Sequence, residues 1–396
     1  MRIDAVDFFY LAMPEIRDVG DGSQDMLLVR VLAGDEVGWG ECEASPLTSI
    51  ASLVTPMSHS ACKPVLASVQ GETLNDAKDI ARISQRVREN SLDLLQAPHT
   101  YSGIEIALWD LLGKHLDAPV YALLGQSKAH RKVAYASVLF GDTPQQTYER
   151  AKEIADRGFR AAKFGWGPYG HGTVAVDAEL VEAARAGLGD EPRLFVDAGT
   201  VWGEDVEAAA ARLPALEAHR VGWLEEPFGT AAFGAYSRLA ADGRVAIAAG
   251  EGAHDPRGAM NLIDYAGIAY VQVETGRIGG IGPSARVAEY AAERGIGYIN
   301  HTFTSQLALA ASLHAFAGLA DSTLAEYPAE PSPLAAALTT DRIEPDADGT
   351  IGLPDAPGLG LTPTPANVRG YLMDVEIRVG DTVLYATPPL EEGAPP

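Results

Sequence analysis

The 396-residue chain holds only two cysteines, Cys42 and Cys62, too few for a disulfide framework. Each reads as a small buried hydrophobe in a reducing compartment. No apolar run approaches the ~20 residues that cross a bilayer, so no helical membrane span is expected. The opening, MRIDAVDFFY, lacks the long apolar stretch and cleavage site of a secretory signal, and a cytoplasmic location is expected. Positive charge is scarce: 30 Lys and Arg stand against 54 Asp and Glu, a formal net charge of −24. Such a surface repels nucleic acid and anionic lipid, so neither is expected as a partner. It also repels an anionic small molecule, so any acid-binding site needs a local cation.

What is present is a substantial apolar fraction, 47% hydrophobic residues, enough for a large core. The length predicts two domains, or one large barrel with an attached module. Three parts are readable. Residues 1–126 open with strand-like text, MRIDAVDFFY and DMLLVRVLAGDEVGWGE, whose Gly34-Asp35 turn predicts a hairpin or short meander. Helical text follows in LNDAKDIARISQRVREN and SGIEIALWDLLGKHL, where Ser102 and Glu105 have the spacing of a capping box. Residues 127–330 alternate short apolar runs with Ala-rich helical stretches, the βαβα rhythm of a parallel sheet, doubly wound or closed into a barrel. Residues 331–396 are rich in Pro and Gly, carry one strand pair around MDVEIRVGDTVLYATP, and read as a tail folded back on another domain. Its last residues, EEGAPP, are expected to fray.

The strand ends choose between the two sheets. RLFVD ends at Asp197, VGWLE at Glu225, AIAAGE at Glu251, AYVQVE at Glu274 and GYINH at His301. They lie about 23–28 residues apart, one βα unit each. In a barrel all C-terminal strand ends share one mouth; in an open sheet they spread along an edge. Convergence favours the barrel.

Any one of these acids could cap a helix or pair with a base. Three carboxylates at one mouth, Asp197, Glu225 and Glu251, cannot all ionise without a cation between them. An all-oxygen ligand set suits a hard divalent ion, most simply Mg2+. Strand alternation turns Trp223 and Glu225 inward and Glu226 outward, towards the helix layer or loop rim, where it orients a neighbour. Pro227 ends the ladder. Lys163, in FRAAKFGWGPYG, is placed to bind or polarise a substrate carboxylate, with its pKa lowered beside the ion. His301 is the expected general base, with Glu274 placed to hold its tautomer and raise its pKa. Glu326, in LAEYP, is a candidate to donate to or orient substrate. His171, in GPYGHG, reads as surface.

Taken together, Lys163, Asp197, Glu225-Glu226-Pro227, Gly250-Glu251, GRIGG at 276–280 and His301, with SGIEIALWDLLGK upstream, resemble the enolase superfamily and within it the mandelate racemase subgroup. The resemblance implies an α/β fold: a modified (β/α)7β TIM-like barrel under an α+β capping domain built from both termini. It implies one Mg2+ on Asp197, Glu225 and Glu251, and a dyad of His301 with Glu274. It implies loops near 14–25 and 45–60 closing over substrate, and a homo-oligomer.

Three departures shape the functional expectation. The subgroup's Lys-x-Lys is here Lys163-Phe164-Gly165, so the second base is missing and two-base racemisation is disfavoured. The dyad acid is Glu274 in place of Asp, and Gly199 stands where Asn is frequent. WGPYG resembles a segment of rhamnonate dehydratases, which rely on one histidine. The resemblance therefore implies dehydration of a sugar acid, aldonate or aldarate, to a 2-keto-3-deoxy acid. A one-base racemase, epimerase or cycloisomerase is the alternative, or a catalytically silent metal-dependent binding protein.

Overall fold

The computed structural model describes residues 1–43 and 45–391. Strands β1 (Ala5–Ala12), β2 (Asp25–Ala33) and β3 (Glu36–Cys42) form an antiparallel meander. Gly34 makes the β2–β3 turn at φ 59°, a left-handed conformation that costs glycine little. Helix Ala97–His115 lies unusually close against β3. A Cβ on Gly40 would stand 2.2 Å from the Gly103 carbonyl oxygen, and one on Gly103 would stand 2.7 Å from Cys42 Sγ. Missing side chains on both elements thus allow backbone to meet backbone.

The helix begins at Ala97, five residues before Ser102, so the expected capping box is not a local cap. The i, i+3 spacing instead sets Ser102 and Glu105 on one helix face. Ser102 Oγ accepts from Gly279 N at 2.8 Å, and Glu105 accepts from Ile281 N at 2.6 Å and Gly282 N at 2.9 Å. Ile281 and Gly282 carry orphan donors of helix Ile281–Glu293, so Glu105 caps a helix in the other part of the chain while Ser102 holds the turn before it.

Strands β4 (Lys132–Leu139), β5 (Ala161–Gly165), β6 (Arg193–Asp197), β7 (Val221–Glu225), β8 (Ala246–Ala249), β9 (Tyr270–Glu274), β10 (Gly297–His301) and β11 (Leu324–Pro328) form the curled parallel sheet. Its spatial order runs from β10 back to β4 and then to β11, a (β/α)7β arrangement. The seam between β10 and β11 is closed by a side chain. Asn300 donates to the Glu326 carbonyl at 3.2 Å and accepts from Glu326 N at 3.0 Å. The interior is plugged by aromatic rings: Phe195 and Trp223 stack with centroids 3.6 Å apart, and Tyr135 meets both edge-on. The barrel is therefore a packed core with chemistry left only at its rim.

Downstream, β12 (Thr350–Ile351) pairs with β4, and β13 (Glu376–Val379) with β14 (Thr382–Ala386) makes a hairpin. Tyr385 donates to the Phe8 carbonyl, Met373 N donates to the Tyr10 carbonyl at 2.8 Å, and the Arg30 guanidinium donates to the Glu391 carbonyl at 3.0 Å. The segment thus rests on β1 and β2. The rest of the expected frayed end, residues 392–396, lies outside the described residues. No helix among the described residues is long and apolar enough to cross a membrane.

Candidate active site

The C-terminal ends of β4 to β10, with Glu43 and a covering loop at Val19–Gly22, enclose a cavity of about 470 Å³ at the C-terminal mouth. The carboxylates of Asp197, Glu225 and Glu251 converge, with ligand oxygens within 4.8 Å of one another. Asp197 is held by Gly199 N, which donates to its Oδ1 at 2.8 Å; Gly199 sits at φ 55°, and a Cβ there would press on the Trp166 ring at 3.0 Å. Glu225 is fully buried and accepts from Trp223 Nε1 at 2.9 Å. Burial, with Glu251 adding to it and Lys163 opposing, pushes Asp197 up to about 6. Burial and the neighbouring acids push Glu225 up to about 8, again against Lys163. These oxygens are crowded with more negative charge than one lysine answers. An all-carboxylate donor set of this spacing fits a hard divalent cation.

Glu226 departs from the outward orientation expected of it. The strand ends at Glu225, and Glu226 adopts φ 35°, which breaks the alternation and turns its side chain towards the cavity. Its Oε1 accepts from Gly250 N at 3.3 Å and Gly252 N at 3.5 Å, the residues flanking Glu251. It does orient a neighbour, but from the cavity side. Burial, then Glu251 and Asp197, push it up to about 8.

Lys163 is 3% exposed and meets Glu225 Oε1, Glu326 Oε1 at 2.8 Å and Asp197 Oδ2 at 3.6 Å. Burial opposes its charge, but these carboxylates outweigh burial and hold its pKa well above the usual lysine value. The lowering expected beside a divalent ion concerns the ion-bound site; among the protein's own groups, three acids surround the ammonium. Glu326 is fully buried, and Thr302 N donates to its other oxygen at 2.7 Å. Burial favours its neutral form, yet Lys163 and His301 outweigh burial and hold its pKa low. It is not among the residues lining the cavity, and it supports Lys163 and the β10 end from beneath.

His301 and Glu274 do meet. Nδ1 lies 2.9 Å from Glu274 Oε2, while Gly276 N donates to Glu274 Oε1 at 2.8 Å. The longer acid is anchored by the backbone two residues on, and this sets its reach. Nε2 faces Glu251 Oε2 at 3.1 Å. Burial opposes protonation of His301, but Glu251, Glu326 and Glu274 outweigh it and hold its pKa well above the ordinary value. Burial raises Glu274 against the pull of His301. His171 is exposed, as expected.

Three cavity residues, Glu43, Trp166 and Arg277, were given no site role by the sequence. Glu43 and Arg277 line the cavity and pair through Arg277 Nη2 and Glu43 Oε2 at 2.7 Å, across 234 residues of sequence. Arg277 lay inside the quoted GRIGG motif; Glu43 belongs to the meander, outside the barrel rhythm. Trp166 lines the mouth at φ 55°. Val19–Gly22 cover it, as the 14–25 expectation has it, whereas no residue of 45–60 is among those lining the cavity; Pro46–Val54 is a helix. Gly165, where a second lysine is absent, has no room for one: a Cβ there would stand 2.7 Å from Asp197 Cβ.

The comparisons agree with this geometry. The profile described as "Enolase C-terminal domain-like" matches residues 146–367, and the "Mandelate racemase / muconate lactonizing enzyme, N-terminal domain" profile matches residues 19–125. A solved structure described as a predicted mandelate racemase from Rhodobacter sphaeroides superimposes with a TM-score of 0.94 at 58% identity, over 98% of this chain and 100% of that one. D-galactarolactone cycloisomerase of Agrobacterium fabrum is 28% identical over 350 residues, 85% of this chain and 88% of its own. D-galactonate dehydratase of Xanthomonas euvesicatoria pv. vesicatoria is 32% identical over 224 residues, 54% of this chain and 56% of its own. Fold, strand-end chemistry and profile matches together place the chain in the mandelate racemase / muconate lactonizing enzyme family of the enolase superfamily.

Proposed function

We propose that this protein removes the α-proton of a sugar acid and expels the β-oxygen substituent, most simply as a dehydratase yielding a 2-keto-3-deoxy acid. The observation that carries the reading is the His301–Glu274 pair at 2.9 Å, beside the acidic trio and without a second lysine at position 165. Asp197, Glu225 and Glu251 would hold a Mg2+ ion, which would supply positive charge for the substrate carboxylate and for the charge that grows on it.

The chain's own groups do the rest. Glu274 fixes the His301 tautomer with Nε2 towards the cavity. In its neutral form, which engagement of Glu251 by a cation would favour by answering the charge that raises the histidine's pKa, Nε2 takes the proton from C2, and Lys163 adds fixed positive charge beside the resulting enediolate. The electron pair of the broken C–H bond then expels the C3 oxygen. With a hydroxyl leaving group, protonated His301 returns the proton and water departs; the enol tautomerises to the ketone. One base serves both proton movements.

A second reading is ring-opening of a lactone, in which the ring oxygen is the leaving group and no water is lost. The longer match to a cycloisomerase, 85% of this chain against 54% for the galactonate dehydratase, favours keeping it. Mass separates the two: dehydration loses one water and ring-opening is isobaric. The test is a screen of sugar acids and their lactones with Mg2+, trapping keto acid with semicarbazide, for the wild type and His301→Asn. The substitution is expected to lower kcat by about 10²–10⁴-fold or more. Near-normal turnover by His301→Asn removes the base assigned here.

A further inference from the structure

Away from the acidic trio, the charges lining the cavity are very uneven. Among the described lining residues the cations are Lys163, His301 and Arg277. Lys163 is enclosed by carboxylates, and His301 sits between Glu251 and Glu274. Arg277 is also ion-paired, with Glu43. Its Nε and Nη2 donate to Glu43 Oε2 at 3.0 and 2.7 Å, and its Nη1 donates to the Glu251 carbonyl at 2.8 Å. What remains is Asp21 on the covering loop, the hydroxyls of Thr200 and Thr230, and the ring of Trp166, which is 46% exposed.

A second carboxylate on a substrate would meet Asp21 and the Glu43–Arg277 pair, with every lining cation already ion-paired. Like charges brought together in this way are how a site rejects a wrong partner. Hydroxyls or a closed ring meet partners suited to them. We infer that the site takes sugar acids with a single ionised carboxylate, open-chain aldonates or lactones with one free acid, and excludes open diacids through Glu43 and Asp21. This rests on the reading that the trio's side of the cavity binds one carboxylate.

The test compares aldonates and aldarates of matched carbon skeleton, with Mg2+, by keto-acid release and by exchange of the α-proton in deuterated water. Monoacids are expected to exceed their matched diacids by on the order of 10²-fold in kcat/KM. Asp21→Asn and Glu43→Gln should each move that ratio towards the diacid, by about tenfold. Diacids turned over as well as monoacids overturn the inference and leave the proposed reaction standing. Exchange confined to monoacids, without keto acid, supports the inference and overturns dehydration. If no compound reacts, calorimetric binding decides: diacids binding as tightly as monoacids overturn it, and weaker diacid binding supports it. A ratio unmoved by both variants overturns the role given to the two acids.

Discussion

On four barrel strands, two inward positions one pleat apart carry opposite chemistry. Ala161 stands below Lys163, Phe195 below Asp197, Trp223 below Glu225 and Ile299 below His301. The lower layer is a mostly apolar plug centred on the stacked Phe195 and Trp223 rings; the upper is an array of charges. The layers are roughly 7 Å apart along each strand. A rigid apolar floor gives each charged group above it one place to stand, and low local polarity strengthens every interaction among them. One hydrogen bond ties the layers, Trp223 Nε1 to Glu225 Oε2 at 2.9 Å.

Removing the Lys163 ammonium breaks the upper layer most severely. Lys163→Met leaves Glu225 and Glu326 facing each other without a counter-charge, and stripping one partner from such a buried set costs about 3–5 kcal/mol. Thermal melts should show a large fall in Tm, with a bigger recovery on adding Mg2+ than the wild type shows, and turnover should be lost. Unchanged stability would mean that the acids are neutral in the protein, and the contrast between the layers would vanish. Trp223→Ala attacks the floor. A buried tryptophan truncated to alanine costs about 3–5 kcal/mol, read by urea unfolding. Because Glu225 loses its indole donor, Mg2+ affinity should weaken as well. Affinity left intact would show the layers to be independent.

A smaller change probes the border between strand and rim. Gly165→Ala puts a methyl where Asp197 Cβ would be 2.7 Å away, and overpacking of this kind costs about 1–3 kcal/mol. The displaced Asp197 should bind Mg2+ more weakly in a calorimetric titration. The same crowding means that Gly165→Lys should fail to install a second base. An active racemase from that variant would show the rim to be far softer than its packing implies.

The upper layer was legible because each short apolar run ended in an ionisable residue at one βα spacing, and strand alternation singled out Glu225. What alternation could not give was Glu226, since a positive φ at a non-glycine residue is imposed by surroundings and leaves no local mark. Ser102 and Glu105 show a second limit. Their spacing suits a local cap, but the helix starts earlier and their partners lie 177 and 176 residues away. Glu43 with Arg277 shows a third, a pair joined only once the meander is laid over the barrel mouth. The missing lysine was visible at Gly165, while its steric cause belonged to Asp197 on the next strand.

Glu41 sharpens the comparison, being a buried acid that has no cation for company. It is 1% exposed on β3, and Ser305 donates to its Oε2. Burial pushes its pKa up to about 7, with hydrogen bonds from Ser305 and Thr304 opposing. An ordinary glutamate in the unfolded chain titrates at about 4.3. Between those values the folded state holds a proton that the unfolded state has released, so stability falls as pH rises through that window and levels off above about 7. Glu41→Gln keeps an oxygen for Ser305 and removes the titration. Chemical denaturation should show the variant matching the wild type near the lower edge of the window. Above its upper edge the variant should be the more stable, by the amount the wild type loses across the window. Parallel pH profiles for the two proteins would mean that Glu41 is solvated or paired at neutral pH, and burial without a cation would then cost this fold nothing.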